Sequence, residues 1–141
     1  MAEYTNTLVQ QVASGQNVVF INTPVRGSAC IVHREGSGIV TLRGMTNQCR
    51  ALYKVTFGGN LSIPTGGTVG PISIAISVQG EALGSSIATV TPAAVGNEFN
   101  VFSAAFVEVP RGCCVTVAVS NVTAAQAIEV QNANLIIERV A

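Results

Sequence analysis

Any catalytic or metal-binding role would have to start from very few residues. His33 is the single histidine among 141 residues, and it lies in Ile31-Val32-His33-Arg34-Glu35, at the end of an apolar run beside a turn. General acid–base and nucleophilic chemistry need a base held within hydrogen-bond reach of its partner. Cys30, Cys49 or a serine could be that partner, but a surface or interface histidine is the simpler account. The four cysteines, Cys30, Cys49, Cys113 and Cys114, contain no Cys-x-x-Cys pair, so a zinc site of the usual spacing is not indicated. They read as small buried thiols. A Cys30–Cys49 disulfide stays open, and Cys113 and Cys114 point to opposite faces if they lie in a strand.

The acids are Glu3, Glu35, Glu81, Glu98, Glu108, Glu129 and Glu138, dispersed along a chain with no aspartate. That excludes a calcium loop of the EF-hand type, and nothing local pairs two carboxylates for glycoside cleavage. Gly58-Gly59 and Gly66-Gly67 lack the following Lys-Ser/Thr and helix of a phosphate loop, so they read as hairpin turns. Asn60-Leu-Ser62 and Asn121-Val-Thr123 match glycosylation acceptors by chance spacing. Six of seven bases are arginine, a type suited to hydrogen-bonded interfaces. Arg43 and Arg50 are the candidates to meet glutamates of another subunit. No catalytic, cofactor-binding or metal-ligating residue is nominated, no cofactor is expected, and the chain reads as a non-enzyme.

Composition gives the first positive statement. Only 10% of residues are charged, against about 25% in an ordinary domain, while 48% are hydrophobic and 5% aromatic. Seven basic residues balance seven acidic ones, which gives nucleic acid or an anionic membrane nothing to attract. No apolar run reaches the ~20 residues of a bilayer span. Residues 1–16 are polar, without a secretory pattern, so synthesis in a bacterial cytoplasm is expected. A surface this poor in charge suits a chain that covers part of itself with another copy.

Strand patterns dominate. Ile72-Ser-Ile74-Ala-Ile76-Ser-Val78 and Val115-Thr-Val117-Ala-Val119 alternate with period two. In Phe99 to Val109, Val101, Ala105, Val107 and Val109 share a face, and Tyr53, Val55 and Phe57 lie opposite Leu52, Lys54 and Thr56. Further strands are expected at 17–22, 30–34, 39–43, 87–91 and 128–140, with Leu8 to Val12 as either a helical turn or a strand. Turn makers separate them at 35–38, 58–60, 64–67, 80–81, 110–112 and 120–121. The pattern predicts an all-β sandwich or jelly roll, with one domain over 15–141 and a polar N-terminal leader over 1–14.

The order of features resembles a known family. Leu52-Tyr53-Lys-Val55-Thr-Phe57, then Ile72 to Val78 followed by Gln79-Gly80-Glu81, is similar to a strand pair in tumour-necrosis-factor and complement globular heads, with Gln79 where an Asn stands there. Ala105-Phe-Val107-Glu-Val109-Pro-Arg-Gly112-Cys-Cys-Val115-Thr-Val117 resembles the next paired strands, and Asn132-Ala-Asn134-Leu-Ile-Ile137-Glu-Arg139 the closing strand. The closing strand is also similar to the C-terminal domain of bacterial collagen-like spore-surface glycoproteins, and the chain looks like small structural proteins of Firmicutes phages and prophages. The resemblance implies a jelly-roll sandwich of about ten antiparallel strands that forms a homotrimer. On it rest the expected role, a virion capsid decoration or head-fibre protein, and the alternative, a spore- or cell-surface adhesive, receptor-binding or glycan-binding head. It also suggests a capsid or other surface partner reached through the leader.

Overall fold

The computed structural model describes residues 1–44, 50–111 and 114–141, and for Arg50 the backbone alone. Two antiparallel sheets face each other. The first runs β10 (Phe99–Pro110), β6 (Arg50–Ser62), β12 (Ile128–Arg139), β1 (Ala2–Asn6) and β3 (Asn22–Val25), and the short β2 (Gln10–Val12) also pairs with β12. The second runs β4 (Ile31–His33), β5 (Val40–Arg43), β11 (Cys114–Asn121), β7 (Ile72–Val78) and β8 (Glu81–Ala82), with β9 (Ala88–Val90) also on β7. Sequence neighbours β6 and β7 lie in different sheets while β6 pairs with β10 and β12, which is the crossing connectivity of a jelly roll. The only helical segment among the described residues is one 3-10 turn, Gly84–Ser86.

Alternation explains which residues face inward. Tyr53, Val55 and Phe57 on β6, Val101, Val107 and Val109 on β10, and Ile72, Ile74 and Ile76 on β7 all lie in one core cluster. Phe20 meets Phe57 edge to face, with ring centroids 6.5 Å apart, a geometry favoured by the ring quadrupoles. The Tyr53 hydroxyl donates to the Arg43 carbonyl at 2.8 Å, so the largest buried side chain keeps its polar end satisfied.

Three expectations are corrected. Residues 1–14 do not form a detached leader. Ala2, Tyr4 and Asn6 are buried, and β1 is hydrogen-bonded between β12 and β3, so this segment is not free to reach a separate surface. Gly58-Gly59 is not a turn but the middle of β6, paired with Phe102 and Val101. A Cβ on Gly59 would meet the Phe57 ring at 3.2 Å and the Ala133 Cα at 3.5 Å, so the glycine serves close approach rather than reversal. The strand expected at 17–22 is reduced to isolated bridges at Asn17 and Phe20, with β3 starting at Asn22.

The crowding at Gly59 has a counterpart on β12. Its register against β6 shifts between Gln131 and Asn134, which inserts one extra residue, a β-bulge. Asn132 absorbs it with φ 55°, a left-handed conformation that asparagine tolerates better than most residues. The bulge switches the inward parity, so Ile128 and Val130 are buried before it and Ala133, Leu135 and Ile137 after it.

Candidate functional site

The outward face of the first sheet is unusual. On β10 the residues opposite the buried valines are Phe102, Ala104, Phe106 and Glu108, all exposed. Phe102 and Phe106 are 66% and 63% accessible. Registered beside them on β6 are Gly58, Thr56, Lys54 and Leu52, and beyond these on β12 Asn134, Ile136 and Glu138. Gly58 has nothing within 4 Å of a would-be Cβ, which leaves a dent beside Phe102. Two phenylalanines four residues apart on an edge strand, with Ala104 between them on the same face and a glycine dent beside Phe102, make an exposed apolar patch. A single exposed apolar residue is ordinary, but such a cluster marks an interaction surface. The signal stood in the sequence: Phe99 to Val109 is apolar on both of its faces, and only one face can point into the core.

Among the described residues the polar candidates are scattered, apart from His33 and Glu35, which line one cleft. His33 lies half-buried between the rings of Tyr4, with centroids 4.4 Å apart, and Phe20, 6.4 Å apart. Its Nε2 faces the Ser37 carbonyl at 2.8 Å. A carbonyl can only accept, so Nε2 carries the proton and Nδ1 is a bare acceptor. Nδ1 is buried with no hydrogen-bond partner. Cys30 is a half-buried thiol beside the Tyr53 hydroxyl. Cys49, its alternative disulfide partner, and Cys113 lie outside the described residues, as does the Arg50 side chain. Arg43 is exposed at the end of β5. Among the described residues, no three His, Cys, Asp or Glu side chains come together as a metal site.

Both tyrosines sit above their ordinary 10.0 because burial disfavours the phenolate; at Tyr53 the nearby Cys30 adds to this and Arg139 opposes it. A raised folded-state value means the folded chain holds its protons longer than the unfolded chain. The stabilisation is therefore complete below pH 10.0 and is lost as pH rises past it. In an alkaline titration the tyrosinate absorbance is expected to appear together with loss of the β-sheet circular dichroism. Tyrosinate forming with an ordinary midpoint in an intact fold would contradict this placement.

A cleft of about 700 Å³ opens where β1, the β3–β4 segment and the turn after β4 meet, between edge strands of the two sheets. The exposed Arg26 and Glu35 are among its lining residues, with the more buried Tyr4 and His33.

The fold defines the class. It is the jelly roll of the tumour-necrosis-factor and complement globular heads. The globular domain of zebrafish complement 1qA superposes with a TM-score of 0.58 at 11% identity, covering 96% of this chain and 94% of that one. Rabbit GITRL matches with a TM-score of 0.50 at 12% identity over 100% and 95% of the two chains. No protein-family model and no curated protein matches the sequence. At such identities the likeness is one of fold.

Proposed function

We propose that this chain is a non-enzymatic structural protein that assembles into a homotrimer, with the Phe102–Phe106 face of the first sheet as its contact. The observation that carries this is the pair of phenylalanines left about two-thirds exposed on a β-sheet whose other face already fills the core. A strand at a sheet edge that meets the flat face of a neighbour forms a head-to-tail contact, which gives a ring where the rotation between copies closes and a filament where it does not. The family resemblance sets the ring at three. The charge-poor composition supports permanent coverage of part of the surface. Arg43, exposed at the end of β5, is on this reading the arginine that meets a neighbour's glutamate.

The surface on which the trimer works is, on this reading, that of a virion, as a capsid decoration or head-fibre protein. Its support is the resemblance to small structural proteins of phages. Sedimentation equilibrium at micromolar concentration should give three times the 14.5 kDa chain mass. Mass spectrometry of density-purified particles should find the chain at a fixed ratio to the major capsid protein. A 14.5 kDa species would sink the trimer, and particles lacking the chain would sink the virion role alone.

A further inference from the structure

The geometry points to the cleft lined by Arg26 and Glu35 as a binding site for a neutral saccharide unit, held within one protomer and independent of trimer formation. The cleft is large enough for a small ligand, at about 700 Å³, inside the range of ordinary ligand sites. Its walls are fixed without a ligand. A Cβ at Gly27 would lie 2.8 Å from the Ile31 carbonyl oxygen and 3.2 Å from the Ala2 Cβ, so the Arg26 wall is pressed against β1 and β4. Hydrogen bonds to Ser28 from the Ile31 and Cys30 amides close that turn. The Glu35 turn is held by Gly36 N–H donating to the Phe20 carbonyl at 2.9 Å, and by His33 against Ser37 at 2.8 Å.

The polar groups inside are underused. The Arg26 guanidinium and the Glu35 carboxylate line one cleft, and neither has an ion-pair partner among the described residues. Glu35 takes only a long 3.4 Å hydrogen bond from the Thr23 hydroxyl. Tyr4 is 2% accessible, lines the cleft, and makes no hydrogen bond through its hydroxyl among the described residues. His33 Nδ1 is a buried acceptor with no donor. Buried polar groups are normally paired, so the orphaned His33 Nδ1 beside a preformed cleft indicates a missing partner.

The kinds of group present select the ligand. A carboxylate in the same lining as the single guanidinium argues against a simple anion. The polar lining argues against a purely apolar guest. What remains is two acceptors, the Glu35 carboxylate and His33 Nδ1, one donor-only group, the Arg26 guanidinium, and the three hydroxyls of Tyr4, Thr23 and Ser28, which can do either. Vicinal hydroxyls of a sugar, each donor and acceptor, match that set, whereas a zwitterion would use the two charges and leave the hydroxyls idle.

The test is amide chemical-shift mapping on the full-length labelled protein. It is titrated in turn with the methyl glycosides of glucose, galactose, mannose, fucose and N-acetylglucosamine, and with glycylglycine and inorganic phosphate as charged probes. At least one glycoside should give saturable shifts at Gly27, Ser28, Val32 and Glu35 with a dissociation constant of about 1 mM. Glu35→Gln and Arg26→Gln, both at exposed positions and so neutral for folding, should each weaken it about tenfold, while Phe106→Glu should leave it unchanged. The proposal is overturned if no glycoside shifts these amides, if only glycylglycine or phosphate does, or if both cleft variants bind as the wild type.

Discussion

Replacing Phe102 and Phe106 together with glutamate is expected to turn the assembly into folded 14.5 kDa monomers. Burying one phenylalanine is worth about 1.5–3 kcal/mol, so the pair supplies about 3–6 kcal/mol per contact, or about 10² to 10⁴ in the association constant. Two carboxylates carried into the contact add a desolvation cost on top, only partly offset at 106 by Lys54 on the paired strand. The folded protomer should hardly notice. Both rings are about two-thirds exposed within it, so its own stability should move by only about 0.5 kcal/mol. Ile87→Glu, at a 48% exposed site beside β9 of the other sheet, is the matched control and should leave the mass unchanged. Light scattering behind a sizing column reads all three. A double variant that keeps the wild-type mass would show that the contact lies elsewhere.

The sequence shows the core of this fold well where apolar residues alternate without interruption. Ile72 to Val78 and Tyr53 to Phe57 point where their period-two pattern puts them. It fails where the inward residue is not apolar or where the period breaks. At β1 the inward set is Ala2, Tyr4 and Asn6, which looks polar because Asn6 solves its burial by a hydrogen bond. Its Nδ2 donates to the Val19 carbonyl at 3.1 Å. At β12 the bulge at Asn132 reverses parity within one apparent strand, so no single period fits residues 128–139. At Gly58-Gly59 composition suggests reversal, but the cause is a cross-strand approach that only a partner strand reveals. The interaction face was half-visible, in a β10 apolar on both sides. The cleft was not visible, because Tyr4, Arg26 and Glu35 meet only through the packing of β1 against the β3–β4 region. His33, read as a surface or interface residue, supplies part of that cleft's inner wall.

Asn121 carries the second large expectation, and its local sequence points the wrong way. Asn121-Val-Thr123 has the form of a glycosylation acceptor, yet the Asn121 side chain has no accessible surface. Its Nδ2 donates to the Val12 carbonyl at 3.0 Å and the Gln126 carbonyl at 2.9 Å, and its Oδ1 accepts from the Thr123 amide at 2.9 Å. One amide thus ties β2 of the first sheet to the end of β11 in the second. It also fixes the 123–126 turn, whose Thr123 hydroxyl accepts from the Ser73 amide at 2.8 Å. Asn121→Ala orphans two carbonyls and an amide at once, each costing about 1–3 kcal/mol. With some recovery through water, the expected loss is about 3 kcal/mol, roughly 10 °C in Tm for a chain of this size. Asn121→Asp should be worse at neutral pH, since it sets a carboxylate against two carbonyl oxygens. Protonation lets it donate to one of them, so the folded state favours the protonated acid. Its deficit against wild type should therefore shrink as pH falls through about 4 and grow above it. Urea denaturation at one protomer concentration separates these cases, because assembly itself shifts apparent stability. Equal stability of the three proteins at neutral pH would mean that the two sheets are joined at this end by packing alone.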